Sequence, residues 1–219
     1  MKKTLNGETL IETAAERLIR EIVACELAPG QKLLIADLKE RYEMGASPLR
    51  EALSRLCSSG FVVFDSGRGF RVAPMSKEDL EDITAVREVI ETAALRRAIA
   101  AGDDEWEVGI VAAYARLERA AARHGEGDGP VPAEAEGAHK QFHGALVAAC
   151  GSKRLIEAHS TLYDQARRYR HQMLELTYDL EDFLRTHREL MRTTLAREAD
   201  EACAKLAAHL RITLVKVYP

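Results

Sequence analysis

From Thr9 to Glu26 apolar residues return every three or four positions, with Ile11, Ala15, Leu18, Ile19 and Ile22 forming one stripe, and the spacing predicts an amphipathic helix. "LAPGQKL" breaks it with a Pro-Gly turn. A short helix over Ile35–Tyr42 is expected next, with Leu38 inward. "SPLREALSRLCSSGF" then reads as a third helix that opens with Pro48, buries Leu49, Ala52, Leu53 and Leu56, and stops at Gly60. Gly45 and Ser47 are both candidate caps for it. "FVVFD" and "FRVA" are β-rich runs separated by "SGRG", which predicts a hairpin whose tip presents Arg68.

Pro74 resists helix, and Ser76 is a good N-cap for the run from Lys77. From Lys77 onward the pattern is helical throughout. Segments are expected at Lys77–Ala101 (Ile83, Val86, Ile90 and Ala94 inward) and at Asp104–Arg123 (Trp106, Ile110, Tyr114 and Leu117 inward). "HGEGDGPVP" is a loop, and helices over Ala133–Cys150, Ser152–Leu176, Leu180–Ala196 and Ala199–Val217 complete the chain. The fold is therefore mainly α. An N-terminal winged helix-turn-helix with a small β-hairpin wing (1–74) is followed by an all-α antiparallel helical bundle (75–219).

Composition sharpens this picture. An aromatic content of 5% and abundant Ala favour close-packed helices over sheet. The formal charge is -4, so any polyanion contact depends on local positive charge. Residues 1–75 carry 11 Lys/Arg against 10 Asp/Glu, whereas the remainder carries 20 against 25. Cys25, Cys57, Cys150 and Cys203 lie far apart with no CxxC spacing, as expected of reduced thiols. Neither a signal-peptide stretch nor a membrane-spanning run is seen, so a cytoplasmic protein with no membrane partner is expected.

Six cations, Lys39, Arg41, Arg50, Arg55, Arg68 and Arg71, fall on elements that a winged helix turns to one side. Such a face neutralises phosphates while its helix enters the major groove of double-stranded DNA. An arginine by itself is more often simply solvated; the order of helices, Gly and hairpin is what carries the reading.

Seven histidines are present. "AHKQFHGAL" places His139 and His143 four apart on one helix face, and "THREL" and "AHLRI" supply His187 and His209 on later helices. An i, i+4 pair with histidines from neighbouring helices can surround a transition metal, or the four can be core residues of a bundle that only dimerises. A helical metalloenzyme using this cluster catalytically is the alternative in another function class. No HExxH appears, and the winged unit would then lack a purpose. Arg87 lies on an apolar stripe, so it either bridges to Glu91 or another acid or clamps a ligand carboxylate. "DQARRYRHQ" adds Arg167 and Arg170 near Tyr163 and Tyr169.

"YEMGASPLREALSRLCSSGFV" resembles the GntR family of bacterial transcription regulators, most closely from Pro48 onward. Where the family has a capping Ser, this chain has Gly45. Where it has an Arg two places before the Pro, this chain has Ala46, which removes a common operator contact. The resemblance implies DNA binding through Arg50 and Arg55, a wing tip of Gly67, Arg68 and Gly69, and a phosphate contact at Ser47. The helical region, with "REVIETAA" and "HKQFH", resembles the FCD effector domain of the FadR branch. That implies a divalent metal held by His143, His187 and His209, with His139 where the family has Asp. Imidazole there favours zinc, or nickel, over harder ions. Arg87, Tyr163, Arg167 and Arg170 become the expected contacts for a small carboxylate effector. "PLREALSRL", "GDDEWE", "HKQFH" and "ACGS" resemble a subgroup of repressors of glutarate and 2-hydroxyglutarate use, which implies a five-carbon dicarboxylate. The expected assembly is a homodimeric repressor on an inverted-repeat operator.

Overall fold

The computed structural model describes residues 9–123, 133–174 and 179–219. The chain divides into two compact units, Met1–Ser76 and Lys77–Pro219.

In the first unit, α1 (Leu10–Val23), α2 (Ile35–Tyr42) and α3 (Ala46–Ser58) precede a hairpin of β1 (Val62–Asp65) and β2 (Gly69–Val72). A reciprocal capping box starts α1: Glu12 N–H donates to Thr9 Oγ1 (3.3 Å) and Thr9 N–H to Glu12 Oε2 (2.7 Å). The helix stops three residues short of the expected Glu26. Cys25 turns left-handed there (φ 55°), and its N–H reaches back to the Ile22 carbonyl. Another left-handed residue, Glu43 (φ 53°), ends α2 and swings the chain into α3. Leu18, Ile22, Leu38, Leu49, Leu53, Phe61 and Val72 are all buried in one core. "LAPGQKL" does more than turn. Gly30 and Leu33 N–H groups donate to the Val72 and Phe70 carbonyls, and Val72 N–H returns to Gln31. This segment covers the outer edge of β2, which would otherwise offer open hydrogen-bonding groups.

The second unit is helical among the described residues: α4 (Lys77–Ala101), α5 (Asp104–Ala122), α6 (Ala133–Val147), α7 (Lys153–Leu174), α8 (Leu180–Leu195) and α9 (Ala199–Val217). The expected "HGEGDGPVP" loop and the last two residues of the expected Ser152–Leu176 helix lie outside the described residues. Helix α4 packs against α7 and α9, and α5 against α6 and α8. Trp106, Ile110, Tyr114 and Leu117 are buried as expected, but Val86 is 38% exposed. The inward face of α4 runs instead through Leu80, Ile83, Thr84, Arg87, Glu91, Ala94 and Ala98. Its period follows the polar pair because Arg87 and Glu91 satisfy each other inside. The α4–α5 corner is pinned by Arg197, which donates to the carbonyls of Ile99 (2.6 Å) and Gly102 (2.9 Å). All four cysteines are free thiols. No helix among the described residues is long and apolar enough to cross a membrane.

Candidate functional site

Gly45 is the N-cap residue before α3 and offers no side-chain cap, and Pro48 occupies the first turn of the helix. Early amides of the helix are thus left without a capping side chain and point along its positive end. Leu49, Ala52, Leu53 and Leu56 face the core, while Ser47, Arg50, Ser54 and Arg55 are exposed. Arg50 has no ionic partner among the described residues. Arg55 is loosely paired with Glu51 at 3.6 Å, both about half exposed. Lys39 is exposed too. At the wing tip, Gly69 adopts φ +80°, a conformation that favours glycine, and Arg68 stands 74% exposed. Asp65 braces the turn by accepting from Gly67 N–H at 3.0 Å.

In the helical unit, His139, His143, His187 and His209 come together, each offering one nitrogen within 4.8 Å of all the others. Spacing of four on α6 brings the first two onto one face, and α8 and α9 deliver the others. His139 Nε2 and His143 Nε2 are 3.0 Å apart. Neighbouring nitrogens around a tetrahedral zinc would be separated by about 3.3 Å. His187 Nδ1 lies 2.6 Å from the Phe183 carbonyl oxygen, which can only accept, so Nδ1 carries the hydrogen. Its Nε2 is left as a buried lone pair with no hydrogen-bond partner among the described residues. His143 Nδ1 and His209 Nδ1 are likewise buried without a partner. Burial pushes His209 down to about 3, and burial followed by the neighbouring imidazoles holds His143 and His187 well below their usual value. His139 is also lowered, chiefly by burial. Converging neutral imidazoles with orphaned nitrogens are the donor set that a borderline-soft divalent cation requires.

Around this cluster stand buried charges. Tyr163 Oη is 2.9 Å from His139 Nδ1. Its ring carries the Arg170 guanidinium at 4.5 Å and that of Arg87 at 5.5 Å. Arg87 Nε donates to Glu91 Oε1 at 2.7 Å, and His159 Nδ1 lies 3.3 Å from Glu91 Oε2. Burial raises the Glu91 carboxyl, but Arg87 and His159 outweigh it and bring it to about 2. Glu136 faces Arg167 (3.2 Å) and Arg170 (3.4 Å). Burial likewise opposes its charge, and Arg170, His139 and Arg167 hold it well below the usual carboxylate range.

Comparison with known proteins decides what this pair of units is. Residues 82–212 match the FCD domain, and residues 10–72 match the gntR family of bacterial regulatory proteins. The chain belongs to the GntR family and carries an FCD domain. It is 36% identical over 209 residues to the "Uncharacterized HTH-type transcriptional regulator BphR" of Paraburkholderia xenovorans (strain LB400), covering 95% of this chain and 85% of that protein. It is 36% identical to the "HTH-type transcriptional repressor GlaR" of Escherichia coli (strain K12), over 88% of this chain and 89% of that one. Among solved structures, E. coli McbR/YncC superposes with a TM-score of 0.81 at 20% identity, over 96% of this chain and 98% of that one. The chain is thus a transcription regulator and not an enzyme, which removes the catalytic use of the histidines.

Within this GntR regulator the expected site residues separate into groups. Ser47, Arg50, Arg55, Gly67, Arg68 and Gly69 lie on α3 and the wing, with the polar side chains exposed. Arg41 is held by Glu21 at 2.9 Å and Glu26 at 3.7 Å, and Arg71 donates to the Gly30 carbonyl. All four histidines converge, His139 included. Arg87 takes the internal bridge to Glu91, one of the two roles its sequence position allowed. Sequence reasoning passed over Ser54, Glu136, His159 and Arg168, the last only 2% exposed. Glu136 carried a signal, since it sits one helical turn before His139.

Proposed function

We propose that this GntR regulator is a homodimeric repressor that binds an inverted-repeat operator and is released by a short dicarboxylate. Residues 1–74 bind DNA, and residues 75–219 bind effector and dimerise. Arg50, Arg55 and Arg68, with Ser47 and Lys39, meet the duplex, phosphate contacts supplying affinity and the α3 arginines reaching base edges. His139, His143, His187 and His209 hold a divalent metal, zinc in the first instance and nickel as the second choice. Such an ion, when bound, supplies a Lewis-acidic charge for an effector carboxylate. Arg170 and Arg167 then orient the acid, and Tyr163 fixes the His139 ring.

The observation that carries this reading is the convergence of four neutral, partly orphaned imidazoles beside buried guanidiniums. The resemblance of the chain to glutarate and 2-hydroxyglutarate regulators suggests the five-carbon acids. Release requires that the acid bind one arrangement of the bundle better than the other. Genomic footprinting would supply the operator. Metal-loaded protein should then bind that fragment, and saturating glutarate or 2-hydroxyglutarate should weaken binding by roughly 5- to 150-fold. No change with either acid or close analogues would refute the effector class.

A further inference from the structure

The two buried arginine–carboxylate pairs of the helical unit are not equivalent. Arg87 and Glu91 meet at 2.7 Å, and the second oxygen of Glu91 faces His159 at 3.3 Å, so this pair is closely matched. Glu136 makes poorer contacts. One oxygen, Oε2, serves both Arg167 Nε at 3.2 Å and Arg170 Nη2 at 3.4 Å, while Oε1 is 3.9 Å from His139 Nδ1. Arg170 is 6% exposed, yet its Nε–H has no hydrogen-bond partner among the described residues. A buried guanidinium left with an unsatisfied donor gains from any carboxylate that can approach it two-pronged. The Arg167 side chain stays 26% exposed, so the place is not sealed on that side.

We propose that Arg167 and Arg170 form a carboxylate seat which Glu136 fills from within the chain, an internal anion that an incoming acid must displace. The proposal rests on the reading of this unit as a carboxylic-acid site and names the residue that sets its threshold. Arg87 is then a structural partner of Glu91, and the exchangeable contacts belong to Arg167 and Arg170. Displacement moves the Glu136 side chain, which stands in the first turn of α6. It also frees His139 Nδ1 from its nearest carboxylate, so occupancy of the seat is felt at the histidine cluster.

Acetate and formate, added to zinc-loaded full-length protein, test the seat without knowledge of the true effector. In Glu136→Ala the seat is vacant. Acetate or formate at about ten times its dissociation constant should raise Tm by about 3 °C, with little change in wild type. Adding Arg167→Ala to that variant should abolish the gain. Should Glu136→Ala fail to fold, Glu136→Gln retains the shape without the charge, and acetate should raise its Tm more than that of wild type. Equal responses of wild type and variants overturn the proposal. Calorimetry with glutarate and 2-hydroxyglutarate separates it from the reading beneath. Wild type that binds neither acid beside a Glu136→Ala protein that gains from acetate leaves the seat standing and sinks the effector class. Wild type that binds glutarate beside an unresponsive Glu136→Ala protein does the opposite.

Discussion

Metal-stripped protein should lose stability steeply between pH 7.5 and pH 5.5. His143, His187 and His209 are buried and neutral in the folded chain, His209 with its value brought to about 3. In the unfolded chain each returns to about 6.5. Through the window between those values the unfolded state binds more protons, so stability falls as pH falls. For one histidine that stays neutral when folded, moving from pH 7.5 to pH 5.5 costs about 1.4 kcal/mol, and three cost about 4 kcal/mol. His139, also lowered, adds to the same side. Glu91 and Glu136 do not confuse the measurement. Their folded values are depressed, so their contribution is intact above the unfolded carboxylate range and is lost only at lower pH.

A loss of about 4 kcal/mol is a large share of the 5–15 kcal/mol that holds a typical protein folded. Urea titrations of chelator-treated protein at the two pH values would read it, with helicity and the single tryptophan as parallel probes. Replacing His143 and His209 together with Leu should remove about 3 kcal/mol of the pH dependence, whatever it does to absolute stability. A wild-type loss below about 1 kcal/mol, or an unchanged loss in the double variant, would show that the cluster is not held neutral by burial.

Particular contacts set three further outcomes. Arg50→Glu with Arg55→Glu should weaken operator binding at least 100-fold and remove most of the preference for the operator over an unrelated duplex, read by fluorescence anisotropy with both fragments at one salt concentration. Gly102→Ala should cost about 1–3 kcal/mol, because the added methyl would fall within the buried Trp106 ring, and thermal melts followed by tryptophan emission would show it. Tyr163→Phe removes the hydroxyl that orients His139 and should lower zinc affinity about 10- to 100-fold in a competitive chelator titration, with little loss of helicity.

Where apolar period and stop signals agreed, element positions were legible in the sequence: Ile35–Tyr42, Lys77–Ala101 and Ala199–Val217 have the expected limits. Differences arise where a polar group finds a partner that sequence cannot show. Arg87 and Glu91 are both charged, yet they turn inward together and push Val86 out, because the pair neutralises itself. Arg41 is ion-paired with Glu21, which lies 20 residues earlier on another helix and which the local sequence does not announce as its partner. The edge pairing of Gly30–Leu33 with β2 was hidden because a Pro-Gly turn announces only the turn. Within the histidine cluster, the i, i+4 spacing announced His139 and His143, but the addition of His187 and His209 depended on family resemblance as much as on helical phase. Glu136 and His159 carried only weak local signals, since each gains meaning from the arginines and carboxylates packed against it.

The charge balance around the cluster bears on ligand choice without any appeal to relatives. All four candidate metal ligands are neutral imidazoles, so a divalent ion among them retains its full charge. Arg87, Arg167 and Arg170 surround the site, whereas among the described residues only Glu91 and Glu136 are paired with them as carboxylates. Over these five groups positive charge exceeds negative by one, and a divalent ion would bring the excess to about three, in a region of low dielectric where each imbalance is costly. A monoanion removes one of these charges and a dianion two. A dianion with two carboxylates set apart can place one beside the imidazoles and the other against Arg170. It then satisfies the guanidinium nitrogen that Glu136 leaves unpaired.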